Sequence, residues 1–403
     1  MDTSLLYHAF GVREQDHIAT HYAEGGIIEE IITKKTKIHC PNCGNKDVTR
    51  AGVEVREYRS LPIGGKPTTF RVRVQRVHCE KCGVTRQEKL HFVTGKRKYT
   101  NALARYVVEL SRMGTIKEVA RHLRMSWNTV KDIQKEYLQK NYSHPSLKGL
   151  RIIGIDEFAV KKGHVYKTIV INMETGQVVY VGDGKGADAL DGFWRRLKRA
   201  GCRIEAVCTD LSAAYISAVR EHLPEAVHVY DHFHVMKLMT DTLDKIRVDT
   251  YKSLEDEDKR KAVKGMRWVL LRNQESLGDD TATRQRLQQA LSVNQPLATA
   301  YYLKEKLRLL WSHADKGSAS LYLDTWLHEA RASGVRRLAK VAESLDRHRQ
   351  GILAWYDYRI TNGRIEGINN KIKTLKRQAY GYRDMEFFEL KILSLHDKNY
   401  AFL

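Results

Sequence analysis

Four cysteines in this 403-residue sequence come as two matched knuckles, Cys40-Pro41-Asn42-Cys43-Gly44 and Cys79-Glu80-Lys81-Cys82-Gly83. Each knuckle puts two thiolates on one tight turn, and the glycine after it lets the backbone curl back. Four thiolates at this spacing suit one tetrahedral zinc ion. Between the knuckles, VEVREYR and TTFRVRVQRV alternate like strands, with Gly64-Gly65 as a turn. The pattern is that of a zinc ribbon over residues 37–92, preceded by an N-terminal arm, 1–36. The zinc (Zn2+) is structural. Arg56, Arg59, Arg71, Arg73 and Arg76 on the hairpin admit either DNA contact or a solvated face. Cys202 and Cys208 lack such a setting and read as small core residues. His39 and His78, each just before a knuckle, read as hydrogen-bonding neighbours rather than ligands.

The charge balance points to the class of partner. Lys and Arg number 69 against 48 Asp and Glu, a net charge of +21, while 42% of residues are hydrophobic. A globular chain this basic is expected to meet a polyanion, the alternative being a solvated basic surface. No apolar run approaches the roughly 20 residues that span a bilayer. The beginning, MDTSLLYHAFGVREQDH, is too polar for a secretory signal. A cytoplasmic protein with reduced thiols and no membrane partner is expected.

Residues 115–137, TIKEVARHLRMSWNTVKDIQKEY, read as a helix-turn-helix. Ile116, Val119, Ala120 and Leu123 form one apolar stripe, and Ser126 is a good N-cap for a second helix continued by Val130, Ile133 and Tyr137. Trp127, Asn128, Thr129 and Lys131 open that second helix, where base-reading side chains sit. A plain helical hairpin is the alternative. Residues 96–149 carry 12 Lys or Arg against four Asp or Glu, which favours a DNA-binding domain over 96–142. KNYSHPSLKG (140–149) then reads as a linker.

From 150 to 235 strands and helices alternate. RIIGIDEF is a buried strand that delivers Asp156 at its C-terminal end. HVYKTIVINMETGQVVYVGDG reads as two antiparallel strands, and ADALDGFWRRLKRAG as an amphipathic helix. IEAVC leads into Asp210, and AVHVY into Asp231. The order β-β-β-α-β-α-β-α is that of a ribonuclease-H-like fold. Carboxylates at the ends of neighbouring strands suit hard divalent cations such as magnesium. Glu157 reads as a bystander, and Asp183 and Asp188 as a loop acid and a helix-start acid. A third ligand comes from TNGRIEGINNKIKTLKRQ. There Ile365, Ile368, Ile372 and Leu375 form the buried stripe, while Asn362, Glu366, Asn370, Lys373 and Arg377 share another face. Glu366 is the candidate ligand, with Asn370 and Lys373 accessory to it and Arg377 a DNA contact.

The stretches IGIDEFAVKKGHVYKT, VCTDLSAAY, VYDHFHVMK and YRITNGRIEGINNKIKTLKRQAYGYRD, taken with the ribbon and helix-turn-helix, resemble the DDE transposases of the ISL-three family of bacterial insertion sequences. The resemblance covers most of the chain. It implies Asp156, Asp210 and Glu366 as the catalytic triad, holding Mg2+ or Mn2+. It places Asp231 and His234, an Asp-x-x-His element, beside the active site as accessory residues, although His232 and His234 also admit a core reading. It implies an all-helical insertion over 236–358, with 359–403 returning to the core. Trp268, Trp311, Trp326 and Trp355 in the insertion serve packing, a dimer contact or DNA. The expected architecture is multidomain α+β: zinc ribbon, helix-turn-helix, and a ribonuclease-H-like α/β catalytic core interrupted by that insertion. The expected activity is binding of the terminal inverted repeats, then metal-dependent strand cleavage and strand transfer. The partners are double-stranded DNA at element ends and target. A homodimer or higher oligomer is expected, because two ends must be held together. Two rivals stand beside this: a domesticated, non-catalytic zinc-ribbon and helix-turn-helix regulator, and a nuclease of the same fold. The three intact carboxylates speak against the first, and a strand-transfer assay separates the second.

Overall fold

The alternating sequence around the knuckles builds a five-stranded sheet. The computed structural model describes residues 3–161, 165–277, 280–360 and 363–396. The chain divides into two compact units, Met1–Ser143 with Thr374–Leu403, and His144–Lys373. The first unit opens with helix α1 (Thr3–Phe10) and strands β1 (Gln15–Ala23), β2 (Gly26–Thr33), β3 (Val48–Ile63), β4 (Lys66–Cys79) and β5 (Thr85–Gln87). Strand order is β1-β2-β4-β3, with β5 also on β4. Gly64 and Gly65 take φ of +55° and +75° at the tip of the β3–β4 hairpin, a conformation that costs glycine little. Phe70, Val72 and Val74 of β4 pack with Leu6, Phe10, Ile31 and Phe92 into one core.

Within residues 1–36, expected as an arm, β1 and β2 are part of this sheet. In GIIEEIIT every second residue, Ile27, Glu29, Ile31 and Thr33, turns inward, and β2 pairs parallel with β4 from Ile27↔Thr68 to Ile32↔Arg73. β1 escaped the sequence reading because QDHIATHYA presents no apolar alternation; most of it is exposed. Buried Glu29 is matched by His17 at 2.9 Å.

Helices α2 (Asn101–Leu110), α3 (Ile116–Leu123) and α4 (Trp127–Tyr142) follow. Thr115 and Glu118 form a reciprocal capping box at α3, and Ser126 accepts from the Thr129 amide at the start of α4. Each such cap contributes about 1 kcal/mol. Arg124 takes a left-handed conformation between them, closing the tight turn. Leu103, Val107, Val119, Ala120, Leu123, Val130 and Ile133 form the shared core.

In the second unit, β6 (Ile152–Lys161), β7 (Val165–Asn172), β8 (Val178–Asp183), α5 (Asp191–Ala200), β9 (Ala206–Thr209), α6 (Ala213–His222) and β10 (Val227–Tyr230) come in that order. The sheet order is β10-β9-β6-β7-β8. β6, β7 and β8 form an antiparallel meander, and β9 and β10 run parallel to β6. Ile153, Ile155, Val170 and Val207 pack beneath Phe193 and Leu197 of α5 and Tyr215 and Val219 of α6. Asp188 sits exposed in a single 3-10 turn before α5, and Asp183 ends β8, paired with Lys167 at 2.5 Å.

The described residues from 232 to 358 carry helices and no strand. They form α7 (His232–Ser253), α8 (Glu257–Lys264), α9 (Arg267–Leu271), α10 (Thr281–Val293), α11 (Gln295–Arg308), α12 (Lys316–Ala332), α13 (Arg336–Arg347), α14 (Arg349–Leu353) and α15 (Trp355–Tyr358). A break expected at 236 thus falls inside α7. One core runs through them, including Leu243, Leu297, Tyr301, Trp326 and Leu345. Trp326 is buried and donates to the Leu303 carbonyl at 2.9 Å, whereas Trp268 is 68% exposed. Trp311 packs against the core and Trp355 is half-buried. Among the described residues, no helix is long and apolar enough to cross a membrane. Helix α16 (Gly363–Gln378) follows, and α17 (Met385–Leu393) belongs to the first unit, where Phe387 and Leu390 join the α2–α4 core.

The approach of α16 to β6 depends on Gly154. A Cβ there would lie 2.5 Å from the Met173 sulfur and 2.6 Å from Ile365 Cδ1. Both side chains are buried, so even Gly154→Ala should lower stability and a larger side chain should lower it further. Gly154→Val should destabilise by about 1–3 kcal/mol, read as a lower denaturant midpoint. Equal midpoints for the two variants would show that Ile365 does not press on β6.

Candidate functional site

The parallel ladder between β6 and β9 sets the geometry of the acids. Gly154 is level with Cys208, so two residues further on Asp156 is level with Asp210. β9 ends at Thr209, while β6 continues through Asp156, which pairs with Ile169 of β7. Asp156 therefore lies in mid-strand rather than at a strand end. One of its flanks is open because its parallel neighbour has stopped. Asp156 Oδ1 accepts from the Glu157 amide at 2.9 Å, and Asp210 Oδ1 from the Ser212 amide at 2.9 Å. Asp156 Oδ2 accepts from Asn369 Nδ2 of α16 at 2.7 Å.

Asp231 caps α7, accepting from the amides of Phe233 and His234, and its Oδ2 meets His234 Nδ1 at 2.8 Å. Burial works against charge on His234. The Asp231 hydrogen bond and the fields of Asp156 and Asp210 outweigh it and raise its pKa. His232 packs its ring beside Trp311. Burial raises the Asp156 pKa, and Asp210 adds to the rise, against the lowering by His234 and Asn369. Burial also raises Glu157, helped by Asp210 and Asp156, and its Oε2 is buried without a hydrogen-bond partner. Glu157, read from sequence as a bystander, thus shares the field of the two aspartates. Two aspartates level with each other in a half-buried site, with the His234 imidazole in their field, suit a hard divalent cation.

α16 sends Asn369 to Asp156, rather than Asn370. Asn370, Lys373 and Arg377 occupy exposed positions, and Glu366 is exposed one turn before Asn369. Among the described residues, the four cysteines are the one set of three or more metal-ligating side chains gathered within 4.8 Å. Glu366 is not brought that close to Asp156 and Asp210 together. Asn362 lies outside the described residues. The signal for Asn369 was its place three residues after Glu366, on the same helical face.

Cys40, Cys43, Cys79 and Cys82 do gather. Cys40 Sγ lies 3.7 Å from Cys82 Sγ, and Cys43 Sγ 3.6 Å from Cys79 Sγ. Four thiolates about 2.3 Å from one zinc would be spaced about 3.8 Å apart, so the cluster fits the ion. Amides of Cys43 and Asn42 point at Cys40 and lower its thiol pKa to about 6, favouring the thiolate a metal needs. His78 Nδ1 meets Thr85 Oγ1 at 2.8 Å and His39 Nδ1 meets the Lys37 carbonyl at 2.9 Å, both outside the cluster. Cys208 is buried, its thiol pushed up by burial, and Cys202 donates to the Leu147 carbonyl.

On α4, Trp127 and Asn128 are exposed and Thr129 half-buried. Lys131 differs from expectation. It pairs with Asp384 at 2.7 Å beside Lys135, which reaches the same carboxylate at 3.1 Å. Burial would raise the Asp384 pKa, but Lys131, the Phe387 amide and Lys135 hold it down at about 2. A lysine so engaged ties α4 to α17 instead of standing free to meet a base.

Residues 153–392 match the family model described as "Transposase". Residues 88–138 match "Helix-turn-helix domain of transposase family ISL3", and 36–82 match "zinc-finger of transposase IS204/IS1001/IS1096/IS1165". The chain is 36% identical over 356 residues to "Transposase for insertion sequence element IS1001" of Bordetella parapertussis, covering 88% of this chain and 87% of that one. It is 26% identical over 370 residues to "Transposase for insertion sequence element IS1557" of Mycobacterium tuberculosis, covering 85% and 82%. Among solved structures, the Drosophila P element transposase strand transfer complex aligns at a TM-score of 0.40 and 12% identity, over 73% of this chain and 92% of that one.

Purified protein should carry about one zinc per chain, and Cys43→Ser or Cys82→Ser should lose it and unfold the ribbon. Zinc-free, fully folded wild-type protein on metal analysis would contradict the site. On α4, Asn128→Ala should cost roughly 1–3 kcal/mol in specific DNA binding and relax sequence preference. Lys131→Ala should chiefly lower the thermal midpoint. Relaxed specificity at an unchanged midpoint in Lys131→Ala would mean that Lys131 leaves Asp384 to read DNA.

Proposed function

Because the chain belongs to the ISL3 family of DDE transposases, we propose that it binds the terminal inverted repeats of its insertion sequence through the ribbon and α3–α4, and cuts and joins DNA at Asp156, Asp210 and Glu366. The observation that carries this reading is the β6–β9 register, which sets Asp156 beside Asp210 in a half-buried acidic site. The sheet order β8-β7-β6-β9-β10, with three antiparallel strands followed by two parallel ones, supports a ribonuclease-H-like core over 150–235 joined by α16 as far as Lys373, whereas α17, expected in that core within 359–403, falls in the first unit. The helices of 236–358 are then an insertion between Asp210 and Glu366.

Each residue has a task. Asp156, Asp210 and Glu366 would hold magnesium or manganese, which supplies Lewis acidity at the scissile phosphate and activates the attacking water or 3′-hydroxyl. Asn369 fixes the Asp156 carboxylate by donating to Oδ2. Glu366 lies three residues before Asn369, and such helical neighbours sit about 5–6 Å apart at Cβ. The contact of Asn369 with Asp156 therefore supports Glu366 as the third ligand. Asp231 orients His234 through Nδ1, and the carboxylates of Asp231, Asp156 and Asp210 raise the His234 pKa against its burial. Lys373 and Arg377 on the exposed face of α16 suit phosphate oxygens. Trp127, Asn128 and Thr129 read base edges. Holding two ends at once calls for a homodimer or larger assembly on end and target DNA.

Asp156→Asn, Asp210→Asn and Glu366→Gln should each abolish cleavage and strand transfer of end-containing DNA with magnesium or manganese, while sparing zinc content and end binding. Asn369→Ala should lower activity by about 10- to 100-fold, the range for loss of a residue that orients a metal ligand. Near-normal cleavage by Glu366→Gln would place the third ligand elsewhere. Normal cleavage by Asp156→Asn as well would overturn the catalytic reading.

A further inference from the structure

A second polar site lies on the edge strand of the same sheet. A cleft of about 470 Å³ opens between β10, the end of α6 and the α13–α14 helices. Its polar lining is Arg220, His228, Arg347, His348 and Gln350, with no acidic side chain. The acids nearest in sequence are occupied or elsewhere. Asp346, beside Arg347, pairs with Arg331 at 2.6 Å and with Arg349 at 3.3 Å. Glu221 lies 3.9 Å from His222, and neither it nor Glu225 lines the cleft. Among the described residues, Arg220 and Arg347 have no carboxylate partner in an ion pair.

The four cationic or potentially cationic groups act on one another. Burial lowers the His228 pKa, and Arg220 and His348 lower it further, to about 4. Burial likewise lowers His348, with Arg347 and Arg220 adding to it. Converging like charges destabilise a fold; an anion between them would relieve the strain and accept charge-assisted hydrogen bonds. The walls are firmly placed. A Cβ on Gly351 of α14 would meet the Tyr230 ring at 2.5 Å and the His228 carbonyl at 2.9 Å, so helix and strand are pressed together. Tyr230 lies between the two imidazoles, with ring centroids 4.6 Å from His228 and 5.1 Å from His348. His228 Nε2 meets Thr209 Oγ1 at 2.7 Å, which in turn donates to the Asp210 carbonyl at 2.7 Å. That commits Nε2 and leaves Nδ1 for a ligand. The cleft is also separate from the acids. Neither Asp156, Asp210, Asp231 nor Glu366 is among its lining residues, although Tyr230, which is, directly precedes Asp231.

We propose that this cleft is a phosphate site, distinct from the Asp156–Asp210 centre, which seats a backbone phosphate of the bound DNA away from the scissile one. Arg220 and Arg347 supply the charge, and His228 and His348 supply donors that gain protons as the phosphate arrives. Free phosphate or a nucleotide carries the same chemistry, and the two sources separate by experiment.

The test uses full-length, zinc-loaded protein and the variants R220Q/R347Q and R220K/R347K. In the first arm, thermal unfolding is compared in inorganic phosphate and in chloride at matched ionic strength. Phosphate should raise the wild-type midpoint, R220Q/R347Q should lose that gain, and R220K/R347K should keep most of it. In the second arm, affinity for end DNA is measured across a salt series. If DNA is the source, the slope of log K against log salt becomes shallower by about 1 in R220Q/R347Q, the effect of one lost phosphate contact. A phosphate response lost in R220Q/R347Q with an unchanged slope supports the site and assigns it to free phosphate or nucleotide. A phosphate response undiminished in R220Q/R347Q, together with an unchanged slope, overturns the proposal.

Discussion

Register between β6 and β9 is the constraint on which the acidic site depends. The side chains of a strand alternate with period two, so a slip of one residue would send Asp156 to the other face and its neighbours with it. What fixes the register is apolar. Ile153, Ile155, Val170 and Val207 are all essentially buried, and each contributes about 1.5–3 kcal/mol on burial. That sum outweighs the cost of holding carboxylates side by side in a half-buried site, a cost visible in the raised pKa values of Asp156 and Glu157. The sheet can therefore keep an arrangement that is unfavourable by itself, as a site for cations requires.

The second constraint is the close approach of α16. Gly154 removes the side chain that would hold Ile365 off the sheet, and with Ile365 in place the helix turns Asn369 toward Asp156. On the reading proposed above, the insertion's own core keeps the ends of a long detour together, so that a glutamate more than 150 residues after Asp210 belongs to the same site. The ribbon has a different logic. Its sheet has a single modest apolar cluster, and the four cysteines supply a cross-link between β4 and the segment before β3.

Legibility in the sequence followed the range of the interactions. The two knuckles, the glycine turn and the Ser126 cap are local and were read at their true positions. Strand-then-acid segments gave Asp210 and Asp231, because a short apolar run ending in an acid is itself a local pattern, whereas β6 runs on past Asp156, which the same pattern had put at its end. Features set by distant partners were not legible. β1 has no apolar alternation and is recognisable only by its pairing with β2. Lys131 looked like a base reader until Asp384, over 250 residues away, was seen to hold it. Asn370 was named from sequence, and that Asn369 meets Asp156 instead turned on a rotation of α16 that depends on how Ile365 meets Gly154. The cleft beside β10 draws its two arginines from helices 127 residues apart, which no single segment discloses.

The most direct test of the central claim is anomalous diffraction from crystals of the full-length protein bound to end DNA and soaked in manganese. The manganese signal should fall between the carboxylates of Asp156 and Asp210, with Glu366 turned in to join them. Manganese bound elsewhere, with Asp156 and Asp210 making no contact to it, would contradict the assignment of these residues as the catalytic metal ligands.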